Sequence, residues 1–387
     1  MQEKRGSAYL RQLDHYVGAV ILLALNLALA IKRTFWATKS NKNTEHGAVL
    51  LVCFGAIGDL IVLTTAVRQQ LTGRPVYLAC SKLNYPCATL YADVYADIVV
   101  VDVRNLLAVH RACERFGIHH IIDSTQWANI GPIQVGLAGL LGKAIFTSGF
   151  KTHSTLRNRV YDQVITHARD LHEVANFINL IAGTQRITSN ADLPIYLPAL
   201  YQVGEFTLNR VRPKTGKVLL HLWPSGNRAY LKAWPEAYWL ELAQFLSSQG
   251  YEIYLSGAPS DQTRTEHFCK QAHQAGVNHI HSIAGKYDLG ALKQFMQEQI
   301  EWAVSVNTGI LHLLVDAGVP VIGLHGGVNP QRWGPLGSQS ISLLPQSGKS
   351  AYLHYGFEYP KNDADAYSLD KLTVQQVIEA IAILKTL

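Results

Sequence analysis

From Ala48 onward, short apolar runs alternate with segments of helical period. Ala48–Phe54 predicts a buried strand and Leu60–Leu71 a helix. Further strands are expected at 75–80, 98–102, 118–123 and 143–149, with helical patterns at 105–117, 131–142 and 171–183. The stretch 184–216 is polar, carries Pro194, Pro198 and Pro213, and reads as a linker. The pattern then restarts, with strands at 217–224, 251–257, 278–285, 300–306 and 319–327 and helices at 235–250, 260–276, 288–299, 307–318 and 368–387. Strands alternating with helices indicate βαβ units and parallel sheets. The expected fold is α/β, with two Rossmann-like doubly wound domains at residues 47–190 and 191–387 facing a central cleft. Ligands in such folds bind at the carboxyl ends of the strands.

The first 46 residues follow another pattern. Val17 to Ile31 is almost wholly apolar, preceded by Lys4, Arg5 and Arg11 and followed by Lys32, Arg33, Lys39 and Lys42. A bilayer-spanning helix needs about 20 apolar residues, so this run is short for that role. Ala28-Leu29-Ala30 has the small-residue spacing of a signal-peptidase site, but the two cations directly after it disfavour cleavage there. Cations on both sides fit a helix lying at an anionic membrane surface, and a helix packed on the protein's own core is the alternative.

Composition narrows the classes. Of 387 residues, 48% are hydrophobic and 16% charged, which suits a sizeable core and excludes a disordered chain. The net charge of +6 suits a phosphorylated substrate or an anionic surface. No Lys/Arg stripe is interleaved with aromatics, so a nucleic-acid partner is not expected. The five cysteines form no CxxC pair and read as buried thiols of a reducing compartment. The 16 histidines show no metal-ligand spacing, so no metal cofactor is expected.

Three turns after strands carry candidate chemistry. The first is Gly55-Ala56-Ile57-Gly58-Asp59, which matches neither a dinucleotide fingerprint nor a P-loop. Asp59 reads either as a helix cap or as a general base that takes a proton from a hydroxyl. The second holds Ser225, Gly226 and Asn227, whose small side chains leave backbone N–H groups open to an anion, and Lys232, a point charge suited to phosphate. A solvated surface lysine is the bland alternative for Lys232, and core packing is expected for Trp234 and Trp239. The third is Asn307-Thr308-Gly309, which ends a strand and opens a helix whose free N–H groups and dipole attract phosphate. His312 lies one turn further on the same face as Thr308. A phosphorylated donor held by the second half and a base supplied by the first suggest group transfer to a hydroxyl.

These stretches resemble glycosyltransferase family 9, the ADP-heptose:lipopolysaccharide heptosyltransferases and their relatives. "GAIGDLIVLTTAV" is similar to the family's (S/G)xxGDxxxxTP, "KAWP" to its KxWP, and "NTGILHLLVDAGVPVIGLHGGVNPQRWGPLG" to its DTGxxHLAAAxGxPxxxLFGPTxPxxWGP. The resemblance runs from about Ala48 to the end. It implies a GT-B fold and inverting, metal-independent transfer from a nucleotide sugar such as ADP-heptose to a lipopolysaccharide-core or related glycan. It implies that Asp59 is the catalytic base, with Gly55 and Gly58 in the acceptor loop. It implies that Lys232, Thr308, Gly309 and His312 contact the donor's phosphates and that Asn307 stands where the family's Asp faces the donor sugar; Ser225, Gly226 and Asn227 are donor-binding candidates on the reading of their turn given above. The implied setting is peripheral, on the cytoplasmic face of the bacterial inner membrane.

The chain departs from the family pattern at three places. Asn307 stands where the family has Asp, keeping hydrogen bonds but losing charge. "LHGG" replaces "LFGP", and "SGNRAYLK" lacks paired threonines. A non-catalytic nucleotide-sugar-binding or scaffold paralogue at the membrane is the competing expectation. The string Asp363-Ala364-Asp365 reads as a solvated turn, and Lys151, Arg157 and Arg159 as cations open to acceptor phosphates or to solvent.

Overall fold

The computed structural model describes residues 8–35, 47–71, 73–102, 104–126, 128–193, 214–225, 229–326, 328–337, 339–345 and 369–386. Gly226, Asn227, the string 363–365, Lys4, Arg5, Lys39 and Lys42 lie outside them. The chain divides into two compact units, Gly6–Asp192 and Leu193–Leu387.

The first unit runs α1 (Ala8–Phe35), β1 (Val49–Cys53), α2 (Ile57–Gln70), β2 (Val76–Ser81), α3 (Tyr85–Ala88), β3 (Asp97–Val101), α4 (Ala108–Phe116), β4 (His120–Asp123), α5 (Ile130–Leu141), β5 (Phe146–Lys151), α6 (Thr155–Asn158), β6 (Gln163–Thr166) and α7 (Glu173–Ala182). Its six strands are all parallel and ordered β3-β2-β1-β4-β5-β6. β1 is the centre, and every residue of VLLVC is buried because helices cover both faces.

The second unit runs β7 (Lys217–His221), α8 (Glu236–Ser248), β8 (Glu252–Ser256), α9 (Gln262–Gln274), β9 (Ile280–Ser282), α10 (Leu289–Gln299), β10 (Trp302–Val306), α11 (Gly309–Asp316), β11 (Val321–Leu324), α12 (Pro330–Trp333), β12 (Ser340–Leu343) and α13 (Val374–Leu384). Its order, β12-β11-β10-β7-β8-β9, repeats that of the first sheet. Trp234 and Trp239 pack edge-to-face in the core, as expected, and the Trp234 indole donates to the Leu372 carbonyl beside α13. The winding reverses between β1 and β4 in one sheet and between β7 and β10 in the other. Such switch points open the crevices where α/β proteins bind ligands.

α1 is longer than the apolar run and lies on α5. Leu22, Leu25 and Leu29 are buried, one turn apart on one stripe. Gly136 admits this close approach, since a Cβ there would stand 2.6 Å from Leu25. Both ends of α5 are held from α1. Asp14 Oδ2 accepts the Asn129 N–H at 3.0 Å, and Lys32 Nζ donates to the carbonyls of Gly139, Leu140 and Gly142 at 2.7–3.0 Å. An anion at the helix start and a cation at its end complement the dipole. Arg33 bonds Asp162 and the carbonyls of Arg159 and Val160. Lys32 and Arg33 therefore hold the helix to the protein, as the alternative of a helix packed on the protein's own core expects. Lys32→Met is expected to lower stability by about 1–3 kcal/mol by leaving those carbonyls unmet; thermal unfolding followed by circular dichroism measures it.

The outer stripe of α1 is also apolar. Val20, Leu23 and Leu27 are 68%, 61% and 66% exposed, in line with exposed Tyr16, Ile31 and Phe35.

Candidate functional site

In the first unit, Asp59 sits in the opening turn of α2, directly after central strand β1. Its Oδ2 accepts the Ala56 N–H at 2.7 Å, so the carboxylate does cap the helix. Gly55 makes room for it, because a Cβ there would lie 2.9 Å from the Asp59 side chain. Gly58 is buried within the first turn of α2. Asn84 fastens the same turn from the connection after β2, its amide donating to the carbonyls of Gly55 at 2.7 Å and Cys53 at 3.4 Å.

A second carboxylate, Asp123, stands across the switch point at the end of β4. It is fully buried and accepts from Thr125 N, Thr125 Oγ1 and Tyr161 Oη at 2.6–2.8 Å. Burial pushes its pKa up against those bonds. Three of its roughly four lone pairs are used, two on the connection after β4 and one on Tyr161. Asp59 is the less buried of the two, 9% exposed against 0% for Asp123. Behind this connection lies a buried polar chain. Arg157 donates to the carbonyls of Thr125 and Gln126, Gln126 Nε2 to Glu173, and His167 Nε2 to the same carboxylate. Arg157 is thus structural, which corrects its expectation as an open cation; Arg159 and Lys151 are exposed.

In the second unit, Lys232 Nζ donates to the Ser225 carbonyl at 3.0 Å, so the two meet in the connection after β7. Thr308 caps α11, its hydroxyl accepting the Ile310 N–H at 3.2 Å. His312 is buried one turn on, edge-to-face with Trp333. Asn307 closes β10, and its Nδ2 lies 3.0 Å from His325 Nδ1 and 3.0 Å from the Trp333 carbonyl oxygen. Asn307 and the histidine of LHGG, two of the departures from the resembled motifs, are thus partners.

Sequence reasoning missed a turn here. Gly257-Ala258-Pro259-Ser260-Asp261, after β8, repeats the spacing of Gly55 to Asp59. Asp261 Oδ2 accepts the Ala258 N–H at 2.9 Å, and a Cβ on Gly257 would stand 2.9 Å from Asp261. The matched spacing was its signal. Asp261 also bonds Arg264, so the cap geometry alone does not mark a base. Burial pulls the pKa of neighbouring His221, bonded to Ser256, to about 4 and keeps it neutral.

The sequence matches a known group. The sequence model of glycosyltransferase family 9 (heptosyltransferase) matches residues 137–361, more than half the chain. The chain belongs to glycosyltransferase family 9. Among curated relatives, a lipopolysaccharide heptosyltransferase 1 of Pseudomonas aeruginosa is 31% identical over 153 residues, covering 38% of this chain and 40% of the relative. A lipooligosaccharide heptosyltransferase 2 of Haemophilus ducreyi is 23% identical over 179 residues, covering 44% and 51%. The chain spans about half the length of the curated relatives it matches. The solved structure of the Escherichia coli ADP-heptose lipopolysaccharide heptosyltransferase II aligns over 88% of this chain and 99% of its own, with a TM-score of 0.65 at 16% identity. That likeness shows the fold of this family 9 protein, the GT-B class that the motifs imply.

Proposed function

We propose that this family 9 protein is an inverting glycosyltransferase that moves a sugar from an ADP-heptose-like donor to a hydroxyl of a lipopolysaccharide-core or related envelope glycan. The carrying observation is a division of chemistry between two like-wound sheets. One switch point offers a helix-capping carboxylate, and the other a capped helix start after β10 with Lys232 in the connection after the adjacent strand β7. The names of the relatives support the donor and acceptor classes.

In this reading Asp59 takes the acceptor hydroxyl proton as the oxygen attacks the anomeric carbon. The bond from that carbon to the diphosphate oxygen breaks, and the nucleoside diphosphate leaves with the electron pair. Lys232 and the α11 N-terminus, with Thr308, Gly309 and His312, meet the growing negative charge. Ser225, Gly226, Asn227 and Asn307 complete the donor contacts, and the protein's own cations replace a metal ion. Residues 47–190 supply the acceptor side and 191–387 the donor side. Purified protein incubated with ADP-heptose, ADP-glucose and UDP-glucose, each with deacylated lipopolysaccharide core, tests the reading. Nucleoside diphosphate release from the ADP-sugars is expected; silence with every donor in a folded protein would favour a binding or scaffold role.

A peripheral seat at a membrane is supported by the outer stripe of α1, where each large side chain drawn from water contributes on the order of 1 kcal/mol, and the cytoplasmic face of the inner membrane is what the family resemblance implies. Leu23→Ser/Leu27→Ser is expected to abolish co-flotation with phosphatidylglycerol-containing vesicles while sparing nucleotide binding. Undiminished flotation of the variant would remove α1 as the contact.

A further inference from the structure

The Asn307 amide faces two acceptors on its inner side. A carbonyl cannot donate, so it must be the amide nitrogen that meets the Trp333 oxygen, and this fixes the orientation of the amide. The second hydrogen of that nitrogen goes to His325, making Nδ1 the acceptor and Nε2 the protonated nitrogen. His325 is fully buried, and its Nε2 has no hydrogen-bond partner among the described residues. It lies over Gly323, where a Cβ would come within 2.8 Å. Burial, reinforced by His312, pulls the His325 pKa to about 3 and holds the ring neutral. With both hydrogens committed inward, Asn307 offers only Oδ1 beyond them, one residue before the capped start of α11.

We propose that His325 is a positioning residue for donor recognition: with the Trp333 carbonyl it locks the Asn307 amide so that a neutral oxygen acceptor faces the donor, where a sugar hydroxyl donates to it. The proposal rests on the donor assignment above. The geometry demands an amide at this position. A carboxylate would set an anionic oxygen against the Trp333 carbonyl and the lone pair of His325 Nδ1, and two acceptors facing an acceptor repel.

Steady-state kinetics with ADP-heptose on three proteins test it. His325→Leu keeps apolar volume but removes the acceptor, and is expected to raise the donor KM about tenfold with kcat within about twofold. His325→Asn places Oδ1 where Nδ1 stood, and is expected to return KM to within about threefold of the parent. An unchanged KM in His325→Leu, or equal losses in both variants without rescue, overturns the proposal. A readout needing no ligand accompanies these, since His325→Leu could also lower stability. In protein labelled with ¹⁵N-histidine, His325 should show a bare Nδ1 and a protonated Nε2; a protonated Nδ1 overturns the lock. If the parent protein neither binds ADP nor releases it from ADP-heptose, the donor assignment falls and the ligand half of the proposal falls with it, while the labelled spectrum still decides the lock.

Discussion

Asp59→Asn is expected to slow sugar transfer by about 10²–10⁴, the usual loss for one positioned base. The substitution separates the cap that the structure shows from the base role proposed for the same carboxylate. As a cap, Asp59 needs only an oxygen to accept the Ala56 N–H, and the Asn amide oxygen supplies one. As a base, it needs a carboxylate, which Asn lacks. Asp59→Ala removes both and should add a stability loss of about 1 kcal/mol. Initial rates of nucleoside diphosphate release, set beside melting temperatures and calorimetric donor binding, distinguish the roles. Near-parental turnover in both variants would show that Asp59 is a cap and nothing more.

Glu173→Leu is expected to lower the melting temperature by roughly 6–20 °C. Glu173 is fully buried and accepts from His167 Nε2 at 2.9 Å and Gln126 Nε2 at 3.0 Å. Leucine would leave both donors buried without that partner, and breaking such a network costs about 3–5 kcal/mol. In a unit of this size each kcal/mol shifts the midpoint by about 2–4 °C. The damage should extend beyond stability. Gln126 lies in the connection after β4, whose neighbour Ser124 bonds the Val52 carbonyl of β1, next to the Asp59 turn. Amide hydrogen exchange in residues 124–130 should rise in Glu173→Leu and much less in Glu173→Gln, which keeps one acceptor oxygen. Unchanged melting would mean that the network is dispensable.

The central strands were legible because full burial on both faces writes an unbroken apolar run, as in VLLVC and WAVSV. The two unanticipated strands, β6 and β12, each lie at one edge of their sheet. Each is four residues long, and Gln163, Thr166, Ser340 and Ser342 break the apolar signal, as edge positions permit. α1 was legible only in part, since packing on one side and exposure on the other give the same apolar letters. The candidate site divides similarly. Asp59 and Thr308 stand at helix starts and His312 one turn into α11, at spacings the local sequence already shows. His325 and Asn84 act through contacts made by residues distant in sequence, which no local pattern records. Arg157 looked like a surface cation because the carbonyls that bind it lie some thirty residues away in the chain.

The clamped pairing of α1 with α5 also sets a direction. Asp14 lies beside the start of α5 and Lys32 beside its end, so the two helices run the same way. A crossover helix descends from the carboxyl edge of its sheet to the amino edge, antiparallel to the strands. A flat surface laid on the outer stripe of α1 would therefore lie along the strands of the first unit, not across them. With α1 and α5 stacked between, that surface would be on the order of 20 Å from the sheet. The turn bearing Asp59 would open sideways at that height. Under the proposed membrane seat that height would act as a ruler, and an acceptor hydroxyl would have to stand on the order of 20 Å from the lipid.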